Sequence, residues 1–191
     1  MHAFHRFIIV NMFTIGCASA AMAAEAGGPL PAPAEPPSVA ESHGFDFEFG
    51  DWLVSHRVKR PDGSWLTFDG TCTTRPLAGG LGNVEEHVFN KASGVTRGVA
   101  IRAFRPDTKE WAIWWIDGRN PHGALDPPVI GRFENGTGTF TSEGPLNGKI
   151  IRTRYLWSQI TKTSARWEQA SSDDSGKTWD TNWIMVFQRK E

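Results

Sequence analysis

The chain has 191 residues, 39% of them hydrophobic and 21% charged, a length and balance that suit one globular domain. A formal net charge of −1, with 20 basic and 21 acidic residues interspersed and no basic face, argues against nucleic acid as a partner. Aromatic residues are the unusual component, with nine Trp and twelve Phe against one Tyr, and every Trp lies at or after Trp52.

Residues 1–23 read as a signal peptide. Arg6 gives a positive start, "FIIVNMFTI" a short apolar core, and "ASAAMAA" the small residues of a cleavage site, with Ala21 and Ala23 in the Ala-x-Ala pattern. The apolar run is too short for a permanent span, so the mature chain is expected to lack a transmembrane segment and to reside in the periplasm or outside the cell. "TIGC" loosely resembles a bacterial lipobox, which makes lipid anchoring at Cys17 an alternative, although Thr14 stands where Leu is preferred. Either processing route leaves Cys72 alone, so no internal disulfide is expected. Residues 24–43 are rich in Pro, Ala, Glu and Gly without apolar periodicity and read as a disordered leader. The folded domain is expected over residues 44–191, with no later linker and no internal repeat.

From Phe45 the pattern is strand after strand. "WLVSHRVKR" alternates Trp52, Val54, His56 and Val58 against Leu53, Ser55, Arg57 and Lys59. "PDGS" turns the chain into "WLTFDGTCTTR", where Cys72 reads as a small buried hydrophobe. "GNVEEHVFNK" and "VTRGVAIRAFR" are joined across "ASG", and "PDTKE" leads to "WAIWWID". "FENGTGTF" places Asn-Gly between two strands, the strongest short hairpin signal. "LNGK" then introduces "IIRTRYLWSQI", followed by "KTSARWEQASS" and "TWDTNWIMVFQRK". About ten strands with short connections imply antiparallel neighbours, and an up-and-down barrel is the simplest way to manage so many edges. A two-sheet sandwich is the next solution. A barrel of this size holds side chains plus one small ligand.

The stretches "FDFEFGDWLVSHR", "RPLAGGLGNVEEHVF", "WWIDGRNPHGALDPPVIGRFENGTGTF" and "RWEQASSDDSGKTWDTNWIMVFQR" resemble a bacterial domain-of-unknown-function family related to the calycins, the lipocalin, fatty-acid-binding and nitrobindin-like barrels. The resemblance covers nearly all of residues 45–189 and implies an all-β, lipocalin-like barrel. It carries over no catalytic residues, and it suggests an interior that receives a small apolar ligand.

Candidate functional groups are polar residues that share a face with apolar ones. His56, between Val54 and Val58, is the clearest. Glu86 shares a face with Val84 and Val88 and would be a buried carboxylate if the valines point inward; if that face is reversed, Glu85 and His87 point inward instead. Asp117 and Arg119 end a Trp-dense strand, where they would select a polar ligand group or pair with each other to pin the loop. Tyr155 and Trp157 lie in phase opposite Arg152 and Arg154, which are read as solvent-facing. Trp115, Trp157 and Trp183 belong to a set of tryptophans that fills the core or lines a cavity.

No His/Cys cluster has zinc spacing, and phosphate loop and nucleophile elbow are absent, so neither metal nor cofactor is expected. The leading expectation is therefore an exported barrel that binds a small apolar or amphipathic molecule. An isomerase, hydratase or hydrolase using His56 with a buried carboxylate is one alternative, and a structural or protein-interaction domain of the cell envelope with a filled core is another. "SDDSGKTW", from Ser172, resembles the Asp-box turn of sialidases and other β-propellers. It occurs once, in a chain too short for the usual number of blades, and so reads as a hairpin turn. Trp179 is expected to re-enter the sheet on a face shared with Thr181, Trp183, Met185 and Phe187.

Overall fold

The structure, a computed structural model, describes residues 39–146 and 148–191. The expected signal peptide, Cys17 and most of the expected leader lie outside the described residues. Ten strands follow in chain order: β1 (Gly50–Lys59), β2 (Trp65–Leu77), β3 (Gly82–Lys91), β4 (Gly94–Arg105), β5 (Glu110–Asp117), β6 (Val129–Glu134), β7 (Thr137–Leu146), β8 (Lys149–Ser158), β9 (Ser164–Ser172) and β10 (Asp180–Arg189). Each pairs antiparallel with its chain neighbours, and β1 also pairs with β10, from Trp52 opposite Arg189 to Val58 opposite Trp183. The sheet is a closed up-and-down barrel, and closure removes the unpaired edges that a ten-stranded open sheet would present.

Period-two alternation sets which side chains turn inward. On β1, Trp52, Val54 and His56 are buried while Leu53, Ser55 and Arg57 are exposed. The hairpins obey local turn chemistry. Asn135 and Gly136 take φ of 50° and 76° between β6 and β7, the left-handed pair that a two-residue turn requires. Between β1 and β2, Asp62 Oδ1 accepts from the backbone N–H of Ser64 at 2.9 Å.

The chain enters the barrel through a plug. The last residues of the expected leader, Val39–Ser42, form a short α-helical turn (α1), and Asp46–Glu48 form a 3-10 turn, so ordered structure begins before residue 44. Trp111 Nε1 donates to the carbonyl of Glu41 at 3.2 Å, and the Lys109 ammonium lies 3.0 Å from the Glu41 carboxylate. Phe45 is fully buried, its ring 4.8 Å from Phe133, 5.1 Å from Trp111 and 5.5 Å from Phe140. From β10, Arg189 donates to the carbonyls of Phe47 and Phe49, both at 2.7 Å, with its guanidinium 4.2 Å from the Trp52 ring. The aromatic core of Phe45, Trp52, Trp111, Phe140, Trp157 and Phe187 sits at this end. The opposite end carries the β1–β2, β3–β4, β5–β6, β7–β8 and β9–β10 connections.

Candidate functional site

Above the plug the barrel encloses a cavity of ≈ 110 Å³. Its wall is aromatic: Phe89, Trp115, Tyr155, Trp157, Trp167 and Trp183 line it, with Met185, Ile113 and Ala100 between them. Its polar atoms come mainly from Glu85, His87 and Arg102, toward the plugged end, and from Gln169. Trp115 is 38% exposed at the rim, and its ring lies on the Cα of Gly98, where a Cβ would stand 2.1 Å from it. That glycine makes room for the indole to lean over the strand.

The polar residues form one connected chain across β10, β1, β3, β4 and the plug. Trp183 Nε1 lies 3.3 Å from His56 Nδ1, His56 Nε2 lies 3.2 Å from His87 Nε2, and His87 Nδ1 lies 2.7 Å from Glu85 Oε1. An indole only donates, so His56 Nδ1 accepts and its proton is on Nε2. His56 Nε2–H therefore donates to His87 Nε2, and His87 Nδ1–H donates to Glu85. Every bond in the series runs toward the same carboxylate. At the far side, Arg102 Nη2 pairs with Glu85 Oε2 and donates to Glu48 Oε1 at 3.3 Å, while Nη1 donates to Asn83 Oδ1 at 3.0 Å and lies 2.7 Å from Glu48 Oε2. His56 also stacks on Phe68 at 4.6 Å, and Gly70 leaves space for its ring, since a Cβ there would stand 2.9 Å from Nε2.

Burial and charge divide the protons. Burial drives the Glu48 carboxyl well above its ordinary value, and the neighbouring Glu85 adds to this against the pull of Arg102. Burial also acts to raise Glu85, but Arg102 and His87 outweigh it and hold that carboxyl below the usual range. The Arg102 guanidinium, flanked by both, stays charged. Burial pulls His56 down to about 3, and a second imidazole beside it, His87, adds to the cost of a proton there, so its imidazole is neutral at ordinary pH. Burial pushes the Tyr155 phenol up to about 12.

The sequence-derived candidates separate into groups. His56 is inward and buried, but it belongs to the polar chain and is not among the residues lining the cavity. Trp115, Tyr155, Trp157 and Trp183 all line the cavity. Glu86 is on the outer face, where its carboxylate lies 3.8 Å from Arg97, and the valines of β3 turn outward with it. The inward carboxylate is Glu85, because Asn83, Glu85, His87 and Phe89 form the buried face and Arg102 meets them. Asp117 and Arg119 pair with each other, Arg119 Nε donating to Asp117 Oδ1 at 2.9 Å, and they hold the loop after β5 outside the cavity. Arg152 and Arg154 lie outward as expected, and Arg154 sits 4.4 Å over the Trp179 ring.

Trp179 thus departs from its expected face. The reason is a bulge in β10: Thr181 opposes Ala170 and Trp183 opposes Gln169, so Asn182 is inserted and the alternation shifts by one. Asn182 accepts from Gln169 on the cavity wall at 2.9 Å. Arg102, Glu48 and Asn83 join the site without a signal in the sequence. Arg102 alternates with Ala100 and Phe104, yet Val99, Ile101 and Ala103 make the opposite face equally apolar, and Glu48 precedes the first strand.

Cys72 Sγ, Glu85 and His87 place possible metal donors within 4.8 Å of one another. The Glu85 oxygens are already held by Arg102 and His87, and burial pushes the Cys72 thiol up, so the trio as built serves the hydrogen-bonded chain. Among the described residues no helix is long and apolar enough to cross a membrane.

Fold and cavity together define a closed antiparallel barrel, plugged at one end, with an aromatic interior and a polar floor. No family model matches the chain, and no curated protein matches it in sequence. Among solved structures it is similar to the S-type phycobiliprotein lyase of Guillardia theta, with a TM-score of 0.53 and 10% identity over 81% of this chain and 99% of the lyase. It is also similar to a de novo designed fluorescence-activating β-barrel, with a TM-score of 0.41 and 14% identity over 76% of this chain and 95% of the design. At these identities the likeness is one of fold.

Proposed function

We propose that this protein binds a small, mainly apolar molecule inside its barrel, and that it does so after export. The observation that carries the reading is the aromatic cavity: ≈ 110 Å³ of open space between five indole or phenol rings, in a core that aromatic side chains could otherwise have filled. A mainly apolar wall with a few buried polar groups at one end is the ordinary composition of a small-molecule site. The resemblance of the sequence to the calycins and the overall likeness to a lyase barrel are consistent with it. The export pattern in residues 1–23 supports a periplasmic or secreted setting.

An acid/base enzyme built on His56 is less well supported. A general base needs a free lone pair within reach of its substrate. Both ring nitrogens of His56 are engaged, by Trp183 and His87, and the ring does not line the cavity. His87 does line it, but its nitrogens are engaged by His56 and Glu85.

Native mass spectrometry of protein purified from whole cells tests the proposal directly. A retained small molecule, together with a mature chain beginning after Ala23, is the expected result. A chain still carrying residues 1–23 overturns export. Failure of every apolar probe to quench tryptophan emission or raise the melting temperature overturns ligand binding.

A further inference from the structure

We infer that the cavity is selective for a neutral compound of one aromatic ring bearing a hydrogen-bond acceptor, a reading that rests on the binding function proposed above and narrows it. Three observations lead there. The first is size. An open volume of ≈ 110 Å³ is on the same scale as the roughly 150 Å³ of an engineered apolar cavity that holds benzene. The space therefore suits a single ring, and a tetrapyrrole or a long acyl chain needs the walls to move.

The second is charge. Arg102 is the one cation lining the cavity, and it is enclosed by two buried carboxylates and an amide: Nη1 faces Asn83 and Glu48, and Nη2 faces Glu85 and Glu48. Whether Glu48 holds a proton or not, the cluster offers no surplus positive charge. A carboxylate brought into the cavity would lose its water and meet a guanidinium whose partners are already in place, a desolvation without compensation.

The third is the sign of the unmet hydrogen bonds. Trp157 and Arg102 line the cavity, both almost fully buried, and Trp157 Nε1 and Arg102 Nε have no acceptor. Asn83 Nδ2, which is bonded to neither, is a third unpartnered donor beside Arg102. The only unpartnered buried acceptor among the described residues, Glu48 Oε2, stands 2.7 Å from Arg102 Nη1. The polar end is short of acceptors, and a carbonyl-type oxygen on the ligand is the complement that a neutral molecule supplies.

Isothermal titration of the mature protein with acetophenone, toluene, octanoate and haem separates the alternatives. Acetophenone is expected to bind, and octanoate to bind at least about tenfold more weakly and fail to displace it, the scale of one unmatched charged hydrogen bond. In Trp157→Phe, which keeps a ring in the wall and removes its N–H, acetophenone is expected to lose about five- to tenfold while toluene stays within about twofold. Toluene in the same variant reports whether the cavity is intact, and the wild-type competition stands if the variant does not fold. Displacement of acetophenone by octanoate, or binding of haem without binding of either single-ring probe, overturns this inference and leaves small-molecule binding in place. Equal losses for toluene and acetophenone in Trp157→Phe overturn the acceptor requirement. If none of the four probes binds, the inference and the function beneath it both fall.

Discussion

Glu85 is the residue on which the buried polar chain converges. It receives His87 on one oxygen and Arg102 on the other, and it is the charged partner that allows a guanidinium to sit with 4% of its surface exposed. Removing one partner of such a pair strands the other charge in the interior. Glu85→Gln is expected to cost about 3–5 kcal/mol, read as a fall in the urea midpoint, while the double substitution Glu85→Gln, Arg102→Met should cost less than the sum of the two single ones. Much of this site was hidden in the sequence. On β3 both faces alternate plausibly, valines with Glu86 on one and His87 with Glu85 on the other, so the pattern could not choose between them. What decides is tertiary: Arg102 from β4 and Glu48 from the plug meet one of those faces and not the other. His56 was legible because its neighbours Val54 and Trp52 have no apolar rivals of equal weight on the other face of β1.

At the scale of elements, the strands and their turns were written locally and were legible throughout, whereas the bulge and the plug were not. The turn between β9 and β10 shows the local chemistry. Ser172 Oγ accepts from the Gly176 N–H at 2.8 Å and donates to Asp174 Oδ1 at 2.7 Å, and Asp174 accepts from the Thr178 N–H at 2.9 Å and its hydroxyl at 2.7 Å. Those bonds, the Thr178 N–H first, hold the Asp174 carboxyl down to about 2. The Asp-box wording is thus a turn that fixes register between the last two strands. Ser172 is buried, so Ser172→Ala should cost about 1–2 kcal/mol in the denaturant midpoint and leave acetophenone affinity within about twofold. A larger loss of affinity would mean that the turn sets the position of Trp183 through the bulge. The bulge itself has no composition cue, since Asn182 is an ordinary strand-end residue.

For the whole molecule the buried titrating groups act in opposite directions. His56 has a folded value of about 3 against an ordinary 6.5, so between those values the unfolded chain binds the extra proton and stability falls as pH falls. Glu85, held below its ordinary 4.5, acts in the same sense below pH 4.5. Glu48 is held above 4.5, so above that pH the folded chain binds the extra proton, and stability falls as pH rises. Above pH 4.5 Glu48 therefore opposes His56, and stability should change less with pH there than below 4.5. Glu48→Gln, an isostere of the protonated acid, removes the offset. Its urea midpoint, relative to wild type, should then rise with pH through 4.5–6.5 by up to about 1.4 kcal/mol per unit. A difference between variant and wild type that stays constant across this range would show that Glu48 is ionised in the folded protein.

The pairing of β1 with β10 also orders events in time. The strand made first cannot find its second neighbour until Asp180–Arg189 have been made, and Arg189 then fastens the plug that precedes β1. Closure joins the most distant parts of the domain, a non-local pairing of the kind that places folding in the millisecond-to-second range rather than the microsecond range. A chain ending before Asp180 should expose β1 and β9 as two bare edges and elute from a sizing column as a self-associated species, whereas a chain that includes β10 should not. Until Asp180–Arg189 arrive, this protein is a sheet waiting for its seam.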